Sequence, residues 1–167
     1  MKIKIYVASL ADYNNGRHYG KWIDLQGKNY DTVMLEIKEM LKKSPEAPYA
    51  EEWDIHDYEA PFEISAGEDL RALMEILEAY YGCEASEEAK DAAAEIFNKD
   101  DLKNVYYDFC HYYRGECDSL EEYAEELYEE SSDFHLYHYV NWEWVAEDLE
   151  SDGYEFVDGH VFFRDFY

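Results

Sequence analysis

The sequence predicts an α+β fold built from three small segments in succession. Three observations support this: alternating apolar residues at the N-terminus, helical apolar spacing through the middle, and a hairpin signal near the C-terminus. The chain has 167 residues, of which 47% are hydrophobic and 18% are aromatic. Such aromatic content indicates a packed protein, because disordered chains of comparable charge are poor in aromatic side chains.

The first segment, residues 1–61, is predicted to be a small sheet with one helix. Alternation of apolar and polar side chains predicts strands at residues 2–9, 19–25 and 51–59. Asp31 is the predicted cap of a helix that runs to about Lys43, where Pro45 ends it. Turn-forming residues at 12–16 predict a loop between the first two strands.

The second segment, residues 62–103, is predicted to be helical. Leucines recur at helical spacing from Leu70, and Gly82 ends the run. Ser86 is the predicted cap of a second helix, whose alanine-rich side allows close packing.

The third segment, residues 104–167, is predicted to combine helices with a C-terminal hairpin. Apolar spacing predicts helices at residues 101–113, 119–130 and 141–150. In the helix at 119–130 the predicted buried stripe is Leu120, Tyr123, Ala124 and Leu127. In the last helix, Trp142, Val145, Ala146 and Leu149 face inward. Asp158-Gly159 between two apolar runs is a strong signal for a type I′ turn.

Acidic residues dominate everything after the first helix. Residues 1–43 contain 8 basic and 5 acidic side chains, whereas residues 44–167 contain 6 basic and 36 acidic ones. The formal net charge is −27, so the chain should repel nucleic acids and anionic membrane surfaces. No apolar run is long enough for a transmembrane span, and the odd count of three cysteines fits a reducing cytoplasm.

The predicted helix at 119–130 shows how this charge is arranged. Its six glutamates form two rows that step by four residues, so together they place roughly one charge per 3 Å at ~1.5 Å of rise per residue. One strand of B-DNA carries a phosphate about every 3.4 Å. Repulsion within the rows costs about 1–2 kcal/mol over four like-charged pairs. For one such helix alone, a solvated outer face is the simpler interpretation.

Similar acidic clusters recur in the neighbouring helices, and we expect them to form one functional anionic surface. Its predicted members are Glu75, Glu78, Glu84, Glu87, Glu88, Asp91, Glu95, Asp100, Asp101, Glu121, Glu122, Glu125, Glu126, Glu129, Glu130, Glu147, Asp148 and Glu150.

Catalytic and metal chemistry finds little support in the sequence. No EF-hand loop, phosphate-binding glycine loop or G-x-S-x-G motif is present, and no cofactor is expected. His135 and His138 form an isolated H-x-x-H, which favours a loop pair over a metal site. Cys110 and His111 are adjacent in a helix and therefore point apart, so we expect Cys110 to be a small core residue. The many carboxylates leave acid–base pairs open, but we expect neither an enzyme nor a metal protein.

Several blocks of the sequence resemble the ArdA antirestriction protein family. They are IYVASL at 5–10, YNNG at 13–16, GKWIDL at 20–25, EEWDIHDYE at 51–59, SLEEYAEEL at 119–127, AEDL at 146–149 and VFFR at 161–164. The resemblance covers nearly the whole chain. Two features depart from the family pattern: Glu147, where the family leads us to expect arginine, and the segment 133–139.

The resemblance implies an elongated, curved molecule of three domains that forms a homodimer through its C-terminal domain. It also implies a cytoplasmic protein of a bacterial host, encoded on a mobile element. Its expected role is to mimic bent B-form DNA and so occupy the DNA groove of the methyltransferase core of type I restriction–modification enzymes.

Three other interpretations stay open at this point. The chain could be an acidic inhibitor or adaptor of another basic DNA-binding protein, a halophilic protein with an acidic solvation shell, or a metal-dependent enzyme. The halophilic interpretation predicts unfolding in low salt, whereas a DNA mimic should stay folded there.

Overall fold

A computed structural model describes residues 2–129 and 139–164 of the chain. It divides the chain into two compact units, Met1–Glu84 and Ala85–Tyr167. The described residues form eight helices and two three-stranded sheets, which confirms the α+β class. The finer division at residues 61 and 103 stays a prediction.

The first unit contains one antiparallel sheet with helices around it. Its strands follow the spatial order β2-β1-β3, and β1 pairs with both neighbours. The elements are β1 (Lys4–Ser9), α1 (Leu10–Asn14), β2 (Gly20–Asp24), α2 (Tyr30–Lys42), β3 (Trp53–Glu59) and α3 (Leu70–Gly82).

Helix α2 buries one side and exposes the other, as its apolar spacing predicted. Its buried residues are Val33, Ile37, Met40 and Leu41. The cap, however, is Asn29 rather than Asp31: its side-chain oxygen accepts a hydrogen bond from the backbone N–H of Thr32 at 2.9 Å.

The predicted loop at residues 12–16 is a helix for most of its length. Helix α1 begins after Ser9, whose hydroxyl accepts a hydrogen bond from the backbone N–H of Asp12. The Asp12 side chain is fully buried and accepts a hydrogen bond from the Ser44 hydroxyl. These tertiary contacts override the local turn propensity of the segment.

Gly20 lies where β2 passes under the ring of Tyr6, and we expect Gly20→Ala to destabilise the first unit. A Cβ atom at this position would lie 2.7 Å from Tyr6 Cζ, and the Val7 carbonyl also blocks it. Overpacking of this kind costs about 1–3 kcal/mol of unfolding free energy, measured by urea denaturation. Gly82→Ala is the control, because a Cβ there meets no atom within 4 Å; it should leave stability unchanged or slightly raised. An equal effect of the two substitutions would contradict the close approach.

The second unit pairs a C-terminal hairpin with a strand from earlier in the chain. Its sheet has the order β4-β6-β5 and is antiparallel. Its elements are α4 (Glu87–Ile96), α5 (Lys99–Tyr107), α6 (Phe109–Tyr112), β4 (Tyr113–Glu116), α7 (Leu120–Glu129), α8 (Trp142–Ser151), β5 (Tyr154–Val157) and β6 (His160–Phe163).

The single helix predicted at residues 101–113 is interrupted at Asp108 and ends one residue early, at Tyr112. The helix stops at Asp108, whose φ of −120° and ψ of 48° lie outside the helical region, and a four-residue turn follows. From Tyr113 onward the chain is a strand. Its backbone N–H and C=O groups pair with those of β6, whereas in a continued helix they would pair within the helix. A register shift between Tyr113 and Gly115 accompanies the φ of +136° at Gly115.

Aromatic rings and small aliphatic side chains fill the core of the second unit. The Phe162 ring is fully buried, with the rings of Phe97, Phe109 and Tyr113 around it at centroid distances of 5.3–6.1 Å. A second cluster joins α7 and α8 to the hairpin through Leu120, Ala124, Ala146, Leu149 and Val161.

Two side chains expected in this core lie outside it. Leu127, predicted on the buried stripe of α7, is 41% exposed, and Cys110 is also exposed. The helical period correctly placed both residues in helices. It does not show whether another helix or strand packs over the side chain and buries it.

The hairpin turn has the predicted geometry. Asp158 and Gly159 have φ values of 48° and 83°, as both central positions of a type I′ turn require.

Two arginines bracket the most acidic part of the chain. Arg114 lies over the Phe163 ring and donates to the His111 carbonyl at 2.8 Å. Arg164 pairs with Glu155 at 2.6 Å. Between them, residues 115–163 contain neither lysine nor arginine.

Candidate functional site

The negative charge is concentrated in the second unit. Met1–Glu84 carries 9 basic and 17 acidic residues, a formal net charge of −8. Ala85–Tyr167 carries 5 basic and 24 acidic residues, a net charge of −19. A surface of one sign over so short a chain repels itself and attracts basic partners over long distances.

Five of the nine basic side chains of the first unit form ion pairs with carboxylates of the same unit. Lys21 and Lys28 both bond Glu36, which lowers the pKa of that carboxyl. Further pairs are Lys4–Glu59, Arg17–Glu46 and Lys2–Asp24. The first unit therefore has the mixed surface of an ordinary protein.

The predicted anionic surface is solvent-accessible throughout its described part. Asp91 and Glu125 are half-buried, and Glu130 lies outside the described residues. The exposed members are Glu75, Glu78, Glu84, Glu87, Glu88, Glu95, Asp100, Asp101, Glu121, Glu122, Glu126, Glu129, Glu147, Asp148 and Glu150. All but the first three of these belong to the second unit.

Helix α7 begins with a variant of the capping box, in which the Glu122 carboxylate bonds the residue before the Ser119 cap. The Ser119 hydroxyl accepts from the backbone N–H of Glu122 at 3.2 Å, and the Glu122 carboxylate accepts from the backbone N–H of Asp118 at 2.6 Å. The backbone N–H of Glu121 and the Ser119 hydroxyl lower the pKa of the Glu121 carboxyl. These hydrogen bonds fix the start of the acidic helix.

A shallow cleft of about 640 Å³ lies in the second unit, and we call it the acidic cleft. Its carboxylates come from α4, from the end of β4 and the turn after it, from α7 and from the β5–β6 turn. The lining residues are Ser86, Glu88, Glu116, Cys117, Asp118, Glu122, Glu126, Asp158, Gly159 and His160. None of these is a lysine or an arginine.

Three carboxylates and the one histidine of this lining were not among the site residues predicted from the sequence. Glu116, Asp118 and Asp158 lie in strand ends and turns rather than on acidic helix faces, and His160 begins β6. The hairpin signal at residues 158–159 was visible in the sequence, but its approach to the segment 116–118 depends on the β4–β6 pairing. The backbone N–H of Cys117, for example, donates to the Gly159 carbonyl at 3.0 Å.

The described histidine, cysteine and carboxylate side chains do not form a metal site. No cluster of three or more histidine, cysteine, aspartate or glutamate side chains there could hold a metal ion. Cys110 and His111 lie in the short helix α6, with the His111 ring against Tyr112 at 4.9 Å. The proposed loop pair of His135 and His138 lies outside the described part of the chain.

Comparison with models of known protein families gives a match over most of the chain. A family model described as antirestriction protein (ArdA) matches residues 5–163. The chain belongs to the ArdA family. A search of curated proteins finds no match. Family membership confirms the resemblance seen in the sequence and implies an antirestriction role with restriction enzymes as binding partners. Among the described residues of this ArdA protein, no helix is both long enough and apolar enough to cross a membrane.

Cys117 reports the negative potential of the acidic cleft in this ArdA protein. Burial raises the pKa of its thiol, and the charges of Glu122, Glu126 and Asp118 raise it further. Because the thiolate is the reactive form, alkylation by neutral iodoacetamide at pH 7 should be slow, and Glu122→Gln should speed it about two- to fivefold. The rate is measured by mass spectrometry in a background with Cys83 and Cys110 replaced by serine.

Glu129→Gln is the control for this rate, because Glu129 is on the same helix but does not line the cleft. Added salt should reduce the difference in alkylation rate between Glu122→Gln and the parent, because ions screen the repulsion between the carboxylates and the Cys117 thiolate. Equal acceleration by both substitutions would show that Cys117 senses net charge rather than the cleft.

Proposed function

We propose that this ArdA protein is a DNA mimic that occupies the DNA-binding groove of type I restriction–modification enzymes. The observation that carries the proposal is helix α7. Its five described glutamates, four exposed and one half-buried, form two rows in a unit of net charge −19. Their spacing is comparable to that of phosphates along one DNA strand.

The mechanism is competitive. Carboxylates take the place of phosphates and pair with the lysine and arginine side chains that the enzyme uses for DNA. Long-range attraction between opposite charges speeds association and makes it sensitive to salt. Because the modification core binds the same DNA, both restriction and modification fall. We also propose that the protein acts as a cytoplasmic homodimer in its bacterial host, with the C-terminal part of the chain as its interface.

Competition on a purified type I methyltransferase core tests the mimicry. A labelled duplex that carries the recognition site is bound to the core and titrated with the intact protein at about 50 and 200 mM salt. We expect displacement of the duplex, weaker at the higher salt by at least about tenfold, as for ligands that rely on several phosphate-like contacts. Circular dichroism at both salt concentrations confirms that the protein is folded.

Absence of displacement at a large molar excess of folded protein would contradict the proposal. The same titration against other basic DNA-binding proteins would then identify a different target of the acidic surface. Displacement that does not depend on salt would also contradict it, because carboxylate–cation contacts must weaken as ions screen them.

A further inference from the structure

The first unit contains a pocket whose lining is mostly apolar. Its volume is about 430 Å³, and it lies between the C-terminal half of α2 and the segment that follows this helix. Sites for small molecules typically have a volume of about 300–1,000 Å³, an apolar lining and a few polar groups. The pocket has the same character, and we call it the lysine pocket. Its lining residues are Lys38, Leu41, Lys42, Ala47, Pro48, Ala50 and Glu51.

Backbone hydrogen bonds hold the wall of the lysine pocket that lies outside α2. The N–H of Ala47 donates to the Ser44 carbonyl at 3.1 Å, and the N–H of Tyr49 donates to the Glu46 carbonyl at 2.9 Å. The Ser44 hydroxyl in turn donates to the fully buried carboxylate of Asp12. Because the protein makes these contacts by itself, a ligand does not have to order the wall when it binds.

Two of the lining residues belong to a group of lysines that lack a carboxylate partner. Of the nine basic side chains of the first unit, five form ion pairs, and Arg71 lies over the Tyr30 ring at 4.2 Å. The other three are the exposed side chains of Lys38, Lys42 and Lys43. Their ammonium groups make neither an ion pair nor a hydrogen bond with any residue that the structure describes.

The composition of the chain makes this lack of partners informative. Acidic side chains outnumber basic ones 41 to 14, so carboxylates are abundant as partners for a lysine. Attraction to the C-terminal end of α2 accounts for the positions of Lys42 and Lys43. It does not account for Lys38, which lies one helical turn before Lys42. Because Lys38 and Lys42 are four residues apart, they share one face of α2, and both line the pocket.

We propose that the lysine pocket binds a small molecule that combines an apolar body with a single carboxylate. The apolar body contacts Leu41 and Ala50, and the carboxylate accepts hydrogen bonds from the ammonium groups of Lys38 and Lys42. A ligand with several negative charges fits less well, because Glu51 also lines the pocket and the first unit has a net charge of −8. This site goes beyond the proposed function, which depends on the acidic second unit.

Titration of the intact, ¹⁵N-labelled protein with octanoate tests the site. We expect saturable shifts of the backbone amide resonances of Ala47 and Ala50. Octan-1-ol, which has the same alkyl chain and no charge, should bind at least about tenfold more weakly, because it cannot accept charge-assisted hydrogen bonds. Butanoate keeps the carboxylate but is four methylene groups shorter. It should also bind at least about tenfold more weakly, since each buried methylene group contributes to affinity.

Two double variants test the role of the lysines in the same titration. Lys38→Gln combined with Lys42→Gln should raise the half-saturating concentration of octanoate about tenfold, through loss of the charge-assisted hydrogen bonds. Lys2→Gln combined with Lys21→Gln is the control, because it removes the same charge from the first unit outside the pocket. Its half-saturating concentration should change by less than about twofold, since salt screens distant charges. Circular dichroism checks that both variants are folded.

Three outcomes would overturn the proposal. They are equal binding of octanoate and octan-1-ol, equal weakening in the two double variants, and octanoate-induced shifts confined to residues outside the pocket. The competition experiment on the methyltransferase core does not depend on octanoate, so the DNA mimicry and the lysine pocket can each fail while the other stands.

Discussion

Replacing the five described glutamates of α7 with glutamine should weaken displacement of duplex DNA and at the same time stabilise the protein. Exposed ion pairs contribute about 0.2–1 kcal/mol each, so five of them amount to about 1–5 kcal/mol, or roughly fivefold to several thousandfold in affinity. The substituted residues are Glu121, Glu122, Glu125, Glu126 and Glu129.

The gain in stability has a separate origin. Like-charged residues four apart on a helix repel each other by about 0.2–0.5 kcal/mol per pair. The described part of α7 contains three such pairs, 121/125, 122/126 and 125/129, so relief of their repulsion contributes about 0.6–1.5 kcal/mol to the unfolding free energy. Part of this gain is offset, because the N-terminus of the helix favours the negative charges of Glu121 and Glu122. Competition titration and urea denaturation measure the two effects on the same sample.

A matched variant separates position from net charge. Glutamine at five exposed glutamates elsewhere also raises the net charge by five, yet these residues are not part of the proposed surface. Affinity should change by less than about threefold, since only long-range attraction is weakened. The control positions are Glu39, Glu51, Glu52, Glu63 and Glu143. Equal loss of affinity in both variants would favour a non-specific effect of charge, and loss of stability in the α7 variant would argue for a structural role of these glutamates.

Single substitutions in α7 should each have a small effect on displacement of the duplex. Complete loss of displacement from one of them, in a protein that is still folded, would refute the distributed surface.

Phe162→Ala should strongly destabilise the second unit, because it removes the ring at the centre of the aromatic core. The ring is fully buried among three other aromatic rings, and truncation of such a phenylalanine costs about 3–5 kcal/mol. This is a large part of the roughly 5–15 kcal/mol that holds an ordinary domain folded. Urea denaturation, followed by circular dichroism, measures the change.

Tyr107→Ala is the control for this substitution. Tyr107 is 62% exposed on α5, so its loss leaves no cavity and should change the unfolding free energy by less than about 1 kcal/mol. A cost below about 1 kcal/mol for Phe162→Ala would contradict its place at the centre of the aromatic core.

Local sequence signals were sufficient for elements that local interactions specify. The alternation at the N-terminus predicted β1, and Asp158-Gly159 predicted a turn whose φ values of 48° and 83° confirm it. The apolar repeat from Leu70 predicted α3 with its end at Gly82. In each case the side-chain period, or a residue that tolerates positive φ, is enough to define the conformation.

Strand β4 was not predictable in this way. Tyr113 pairs with Phe162, a residue almost fifty positions later, and the apolar spacing before it continues a helical period. Only the arrival of β6 decides between helix and strand at this position, which is a tertiary effect. The same limit applies to the acidic cleft. Acidic helix faces were visible in the sequence, but the approach of Glu88, Glu116 and Asp158 depends on how the second unit packs.

The bracketing of the acidic stretch by Arg114 and Arg164 has a consequence for proteolysis. Trypsin cuts only after lysine or arginine, and residues 115–163 contain neither. Helices α7 and α8 and the hairpin therefore survive tryptic digestion as one uninterrupted peptide, even after the protein unfolds. Residues 115–163, the most acidic part of the protein, therefore contain no cleavage site for any protease that requires a basic side chain.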